Sequence, residues 1–146
     1  MNPTVTLIFT IVGGALVLLN LYGALKSDRK LFLSGLCFFS ILPIIGESMT
    51  YSTDKAPVHV IVVLVFIAQI ILTFPNNIQY GPENTAAGKL VMKIVLALLV
   101  FNIGGILYVL CLNSGVPAQF GYYHVAFSLS IIYMIFKRLN GGAWVK

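Results

Sequence analysis

Five apolar runs constrain this chain more than any other feature. They cover residues 4–25, 31–50, 57–74, 90–112 and 117–138. A helix needs about 20 apolar residues to cross roughly 30 Å of hydrocarbon, and each run meets or nearly meets that length. The expected fold is an all-α integral membrane protein. It is read as one transmembrane domain over residues 1–146, a bundle of five transmembrane helices. A re-entrant second run would lower the count to four, because its purely apolar part stops near Gly46.

Composition removes the soluble alternatives. Charged residues make up 9% of the chain and hydrophobic residues 59%, against roughly 25% charged in an average soluble domain. Thirteen charges cannot cover the surface of a soluble domain of 146 residues. A soluble globular enzyme, a disordered tail and a nucleic-acid-binding domain are excluded. The net charge of +5 comes from basic residues spread between apolar runs, a pattern that suits membrane orientation better than a nucleic-acid groove. The N-terminal run has no basic segment before it and no small-residue cleavage motif after it, so a retained helix is expected.

The basic residues suggest an orientation. With five crossings, one face receives Lys26, Arg29, Lys30, Lys89, Lys93, Lys137, Arg138 and Lys146, eight of the nine, and the other receives Lys55 alone. Basic residues collect on the cytoplasmic side. The N-terminus is therefore expected outside and the C-terminus in the cytoplasm, with the bacterial cytoplasmic membrane as the expected location. Tyr80 and Trp144 fit an inner aromatic belt, and Tyr51, Tyr122 and Tyr123 an outer one.

Local signals refine the spans. Asn2 is placed to cap the first helix, with Pro3 in its first turn. Pro43 should kink the second span, since it removes a hydrogen bond to the residue four before it. Thr10 with Gly14, and Gly104 with Gly105, mark expected close-packing sites. Cys37 and Cys111 form no CxxC pair and read as buried small hydrophobes.

The deep polar residues are neutral: Asn20, Ser34, Ser40, Gln69, Asn102, Ser128, Ser130 and Tyr133. Such groups seek partners across helix interfaces or line a pore. Asn20, Gln69, Asn102, Ser128 and Ser130 are the candidate interface or pore-lining residues. Asn102 and Gln69 are the costliest to leave in lipid, and should face another helix or another subunit.

One constellation has chemical potential. Glu47, His59, Cys111, Asn113 and His124 all fall in the outer half of the proposed bundle. A carboxylate beside a histidine supports acid–base work, and Glu47 paired with His59 or His124 is the sharpest form of that expectation. Interfacial anchoring accounts for the same residues without chemistry. No cofactor and no metal site is expected, and no residue is assigned as catalytic.

Three functional readings follow. The leading one is an accessory or structural subunit of a larger membrane complex, beside an ion-driven, respiratory or transport assembly, with deep polar residues turned toward the partner. The second is an autonomous small oligomeric transporter or channel with a polar-lined cavity. The third is a membrane enzyme acting on lipid through Glu47 and His59 or His124, with a lateral opening beside Glu47. The lipid bilayer is a partner in all three, together with a second membrane subunit or another copy of the chain.

Overall fold

The computed structural model describes residues 2–75, 86–112 and 114–139. Tyr80, Asn113, Trp144 and Lys146 lie outside these residues. The described chain is helical and contains no strand. Its helices are α1 (Pro3–Lys26), α2 (Arg29–Phe39), α3 (Ile41–Asp54), α4 (Pro57–Thr73), α5 (Ala86–Ile106) and α6 (Ala118–Leu139), with a π-helical turn at Leu107–Cys111 between α5 and α6.

Among the described residues, three helices are long and apolar enough to cross a membrane: Pro3–Lys26, Gly88–Cys111, and Arg29–Asp54 taken as one bent rod. α4 is apolar but has only 17 residues. α6 has 22 residues, but Gln119, His124, Ser128 and Ser130 dilute its apolar character. The outward faces carry exposed Leu7, Ile11, Leu18, Leu64, Ile71, Val100 and Leu129. Such a surface suits a membrane-associated protein, because apolar patches of this extent are not left in water.

Local chemistry sets the helix ends. Asn2 accepts a hydrogen bond from the Thr4 amide at 2.9 Å, capping α1. Ser27 adopts a left-handed conformation (φ 56°) after α1, and Asp28 then caps α2 through the Leu31 amide at 3.1 Å. The turn is tight, so α1 and α2 run back on each other in close contact. A Cβ on Gly23 would lie 2.3 Å from the Phe32 nitrogen, and one on Gly35 would lie 2.6 Å from the Asn20 Cβ. These two glycines, rather than Gly14, permit the closest backbone approach. At the same end of the bundle as this turn, Lys137 donates to the Leu25 carbonyl at 3.2 Å, tying α6 to the end of α1.

The second rod breaks at Ser40. Pro43 supplies no amide to the Phe39 carbonyl, and its ring crowds that carbonyl. The Ser40 hydroxyl also bonds back to the Leu36 carbonyl at 2.8 Å, a pattern that bends helices. The consequence is a change of neighbour: α2 packs along α1, whereas α3 packs along α4. The core, including Leu36, Phe39, Leu98, Phe127 and Ile131, fills the straight half of the bundle. The half beyond the break is more open.

Gly35→Val should separate α1 from α2, and overpacking of this kind costs about 1–3 kcal/mol. Gly104→Ala should cost nothing and can gain up to about 1 kcal/mol of helix propensity, because a Cβ there meets nothing within 4 Å. Thermal unfolding of the two variants in the same detergent checks the contrast; equal melting temperatures would refute it.

Candidate functional site

α3 buries a single side chain, and it is a carboxylate. Glu47 is 6% exposed, one turn after Pro43. It meets α4 at His59, where Glu47 Oε2 and His59 Nδ1 form a hydrogen bond. The other ring nitrogen, Nε2, lies 2.8 Å from Asp54 Oδ2. Asp54 is half-exposed at the end of α3 and also accepts from the Ala56 amide at 2.9 Å. That Asx turn carries the chain from α3 into Pro57, which opens α4 and sets His59 in its first turn. Tyr108 adds a long contact of 3.5 Å from its hydroxyl to Glu47 Oε2.

The row Asp54–His59–Glu47 has a defined proton count. Neutral imidazole carries one N–H, and an ionised carboxylate only accepts. Both ring nitrogens face carboxylate oxygens, so each bond requires one proton. Two protons shared among an imidazole and two carboxylates leave the trio with one net negative charge. The ring also joins an exposed carboxylate to a buried one, the arrangement for passing a proton from one nitrogen while accepting at the other. With both nitrogens so engaged, His59 has no lone pair for a metal.

Glu47, His59 and Tyr108 line a cavity of about 640 Å³. That volume falls in the range of about 300–1,000 Å³ typical of ligand pockets. Its walls come mainly from α3, α4, α5, the π-helical turn and the start of α6, with Phe9 of α1, Phe39 at the end of α2 and the loop 114–117 completing them, and are mostly Val, Ile, Leu, Phe and Gly. Ile61 and Val100 line it while being 61% and 64% exposed, so the cavity reaches the side of the bundle between α4 and α5. α4 and α5 meet over only a short seam.

His124 lines the same cavity but belongs to a different network. Its Nδ1 lies 3.0 Å from Asn102 Oδ1, and the Asn102 amide nitrogen donates to the Leu98 carbonyl at 2.8 Å. The Leu98 carbonyl thereby fixes Oδ1 as acceptor, so His124 Nδ1 carries the proton and Nε2 is left as an acceptor. The ring sits between Phe39 and Phe66, with centroids 5.4 and 5.8 Å away. Gly105 is needed beneath it, since a Cβ there would lie 2.7 Å from the ring. From His59 to Phe66 is seven residues of α4, or about 10 Å of helix rise; the cavity therefore has two polar ends about that far apart.

The remaining sequence candidates are dispersed. Cys111 is exposed and does not line the cavity, which corrects its reading as a buried residue; Cys37 is buried. Asn113 lies outside the described residues. Asn20 donates to the Phe32 carbonyl at 2.8 Å and accepts from Ser130. Gln69 is fully buried with neither amide atom bonded, and the Ser128 hydroxyl is likewise buried without a partner, among the described residues. Asn20, Gln69, Asn102, Ser128 and Ser130 are all turned into the single-chain bundle, and none lines the cavity. An outward orientation of Asn102, Gln69 or the serines is thus corrected: two apolar helix faces cover them more completely than one lipid-facing surface would. Tyr123 also turns inward, donating to the Thr10 carbonyl at 2.7 Å rather than anchoring at an interface.

Asp54 and Tyr108 were missed in the sequence. Asp54 reads as a solvated loop residue. Tyr108 reads as one more aromatic in an apolar run, and only the π-helical turn at Leu107–Cys111 makes it stand out. Single π turns occur often at functional sites.

Comparison of the chain with protein-family models, with curated proteins and with solved structures found no match.

Nitrogen NMR of the two imidazoles checks the proton assignments, with His59→Asn and His124→Asn for peak identity. At neutral pH His124 should show one protonated and one bare nitrogen, and His59 two hydrogen-bonded nitrogens. A bare nitrogen on His59 would refute the two-proton row.

Proposed function

We propose that the chain is a five-span membrane protein that takes one lipid-like molecule sideways into the cavity beside Glu47. The observation that carries this reading is the cavity itself: about 640 Å³, mostly apolar, with Glu47 and His59 in its wall. An amphiphile has the complementary form, an apolar chain for Val65, Phe66 and Phe120 and a polar end for the carboxylate–imidazole pair. Entry between α4 and α5 needs no passage through water, since Ile61 and Val100 already belong to both the cavity and the outer surface.

The five-span topology is part of the proposal. α4 crosses as a short span, and the polar faces of α6 are spent inside the bundle on Asn20, Thr10 and Asn102. The bias of basic residues supports a reading with Lys55 outside and the Lys26–Arg29–Lys30 turn in the cytoplasm, and the bacterial cytoplasmic membrane is the location proposed with it. The cavity then opens in the outer leaflet. Reaction of Lys26 and Lys30 with a membrane-impermeant amine reagent from the same side as Lys55 would contradict this orientation.

The subunit and carrier readings have less to stand on. A subunit of a larger complex calls for deep polar groups facing its partner, and Asn20, Gln69, Asn102, Ser128 and Ser130 are buried within the single chain, which leaves Tyr133, 42% exposed, as the deep polar side chain on the outer surface among the described residues. A carrier calls for Asn20, Gln69, Asn102 or the serines along a water-filled path, and the cavity wall contains none of them. Acid–base chemistry on the bound lipid is within reach of Glu47 and His59, but binding is the part of the reading the geometry supports most directly.

Gentle extraction into a non-ionic detergent, followed by native mass spectrometry, tests it. The wild type should retain about one lipid per chain. Gly104→Phe should retain none, because Gly104 lines the cavity and a Cβ there meets nothing within 4 Å, which leaves room for a ring to occupy the lipid's place. Equal retention by the two proteins would overturn the reading.

A further inference from the structure

We propose that the lipid held in this cavity carries a cationic, ammonium-type headgroup, docked against Glu47. This rests on the lipid-binding reading and names the class of ligand.

The first ground is charge. One proton in each bond of the Asp54–His59–Glu47 row leaves one negative charge uncompensated. Among the described residues, the ion pairs of Glu47 and Asp54 are those with His59 alone. Lys55, the cation nearest in sequence, has its ammonium 5.3 Å from the Tyr51 ring centroid. Asp54 is half-exposed, but Glu47 is buried and shares its imidazole with Asp54; a buried charge is costly unless it is fully paired, and a cationic ligand gives Glu47 a second partner.

The second ground is an unused acceptor. Glu47 Oε2 takes both the His59 and the Tyr108 contacts, and Oε1 makes no hydrogen bond among the described residues. The side chain is more than nine-tenths buried and lines the cavity. The third ground is the wall itself. Phe9, Phe101, Tyr108 and Phe120 contribute aromatic rings, and such rings attract ammonium groups through the negative faces of their π systems. An anionic headgroup would meet like charge here and be repelled. A hydroxyl headgroup would gain only a neutral donor's bond, weaker than one to a charged partner.

The test compares three single-chain amphiphiles of equal length: hexadecylammonium, hexadecanol and hexadecyl sulfate. Each is titrated calorimetrically into the full chain in maltoside micelles, which contain no competing ammonium lipid. The ammonium compound should bind about tenfold more tightly than the alcohol, and the sulfate most weakly. Glu47→Gln should remove the preference for the cation while leaving the alcohol unchanged, and Gly104→Phe should abolish all binding. Equal binding of the three, or preference for the alcohol or the sulfate, overturns the cationic assignment while leaving the cavity a lipid site. Binding of none of them, or binding insensitive to Gly104→Phe, overturns the lipid reading as well. The ranking on the wild type decides the question even if Glu47→Gln fails to fold.

Discussion

A carboxylate inside an apolar bundle must find a partner or lose its charge, and the pairing of Glu47 with His59 organises everything around it. Burial of an unpaired charge is far more costly than any local packing gain. Pairing reduces the cost, yet a buried pair commonly does no better than apolar residues of the same shape. Here the pair sits in a cavity wall, with one ring nitrogen bonded to half-exposed Asp54. An arrangement that gives up close packing at this point is understandable if the charge has something to meet.

Backbone irregularities make the room. Ser40 and Pro43 interrupt the second rod, and α3 leaves α1 for α4. At the same end of the bundle, the π-helical turn Leu107–Cys111 widens α5 beyond Ile106 and brings Tyr108 to the carboxylate. Between the two departures from ideal helix lies the cavity. Gly105 completes its deeper end by letting the His124 ring lie flat on α5. Each device acts on one helix, and the opening appears only where they coincide.

The helices were legible because apolar runs of span length have few other uses. Pro43 announced a kink, although the break falls at Ser40, where the hydroxyl's bond to Leu36 adds to the proline's effect. Gly23 and Gly35 did not stand out from the other glycines, since closeness of approach depends on the register of α1 against α2. Glu47 and His59 lie on consecutive helices joined by a short turn, so their meeting was readable from spacing. The choice between His59 and His124 was not, because it depends on how α6 rotates against α5, where Asn102 captures His124. Tyr108 required the backbone itself, since an α-helix and a π turn look alike in an apolar run.

Photolabelling by a lipid with a diazirine on its acyl chain, with the labelled residues mapped by mass spectrometry, tests the central claim most directly. Label should reach Phe66 and Phe120, which line the cavity and are less than one-tenth exposed on the bundle surface. Label confined to outward residues such as Leu7, Leu18 and Ile71 would show that lipid surrounds the bundle without entering it.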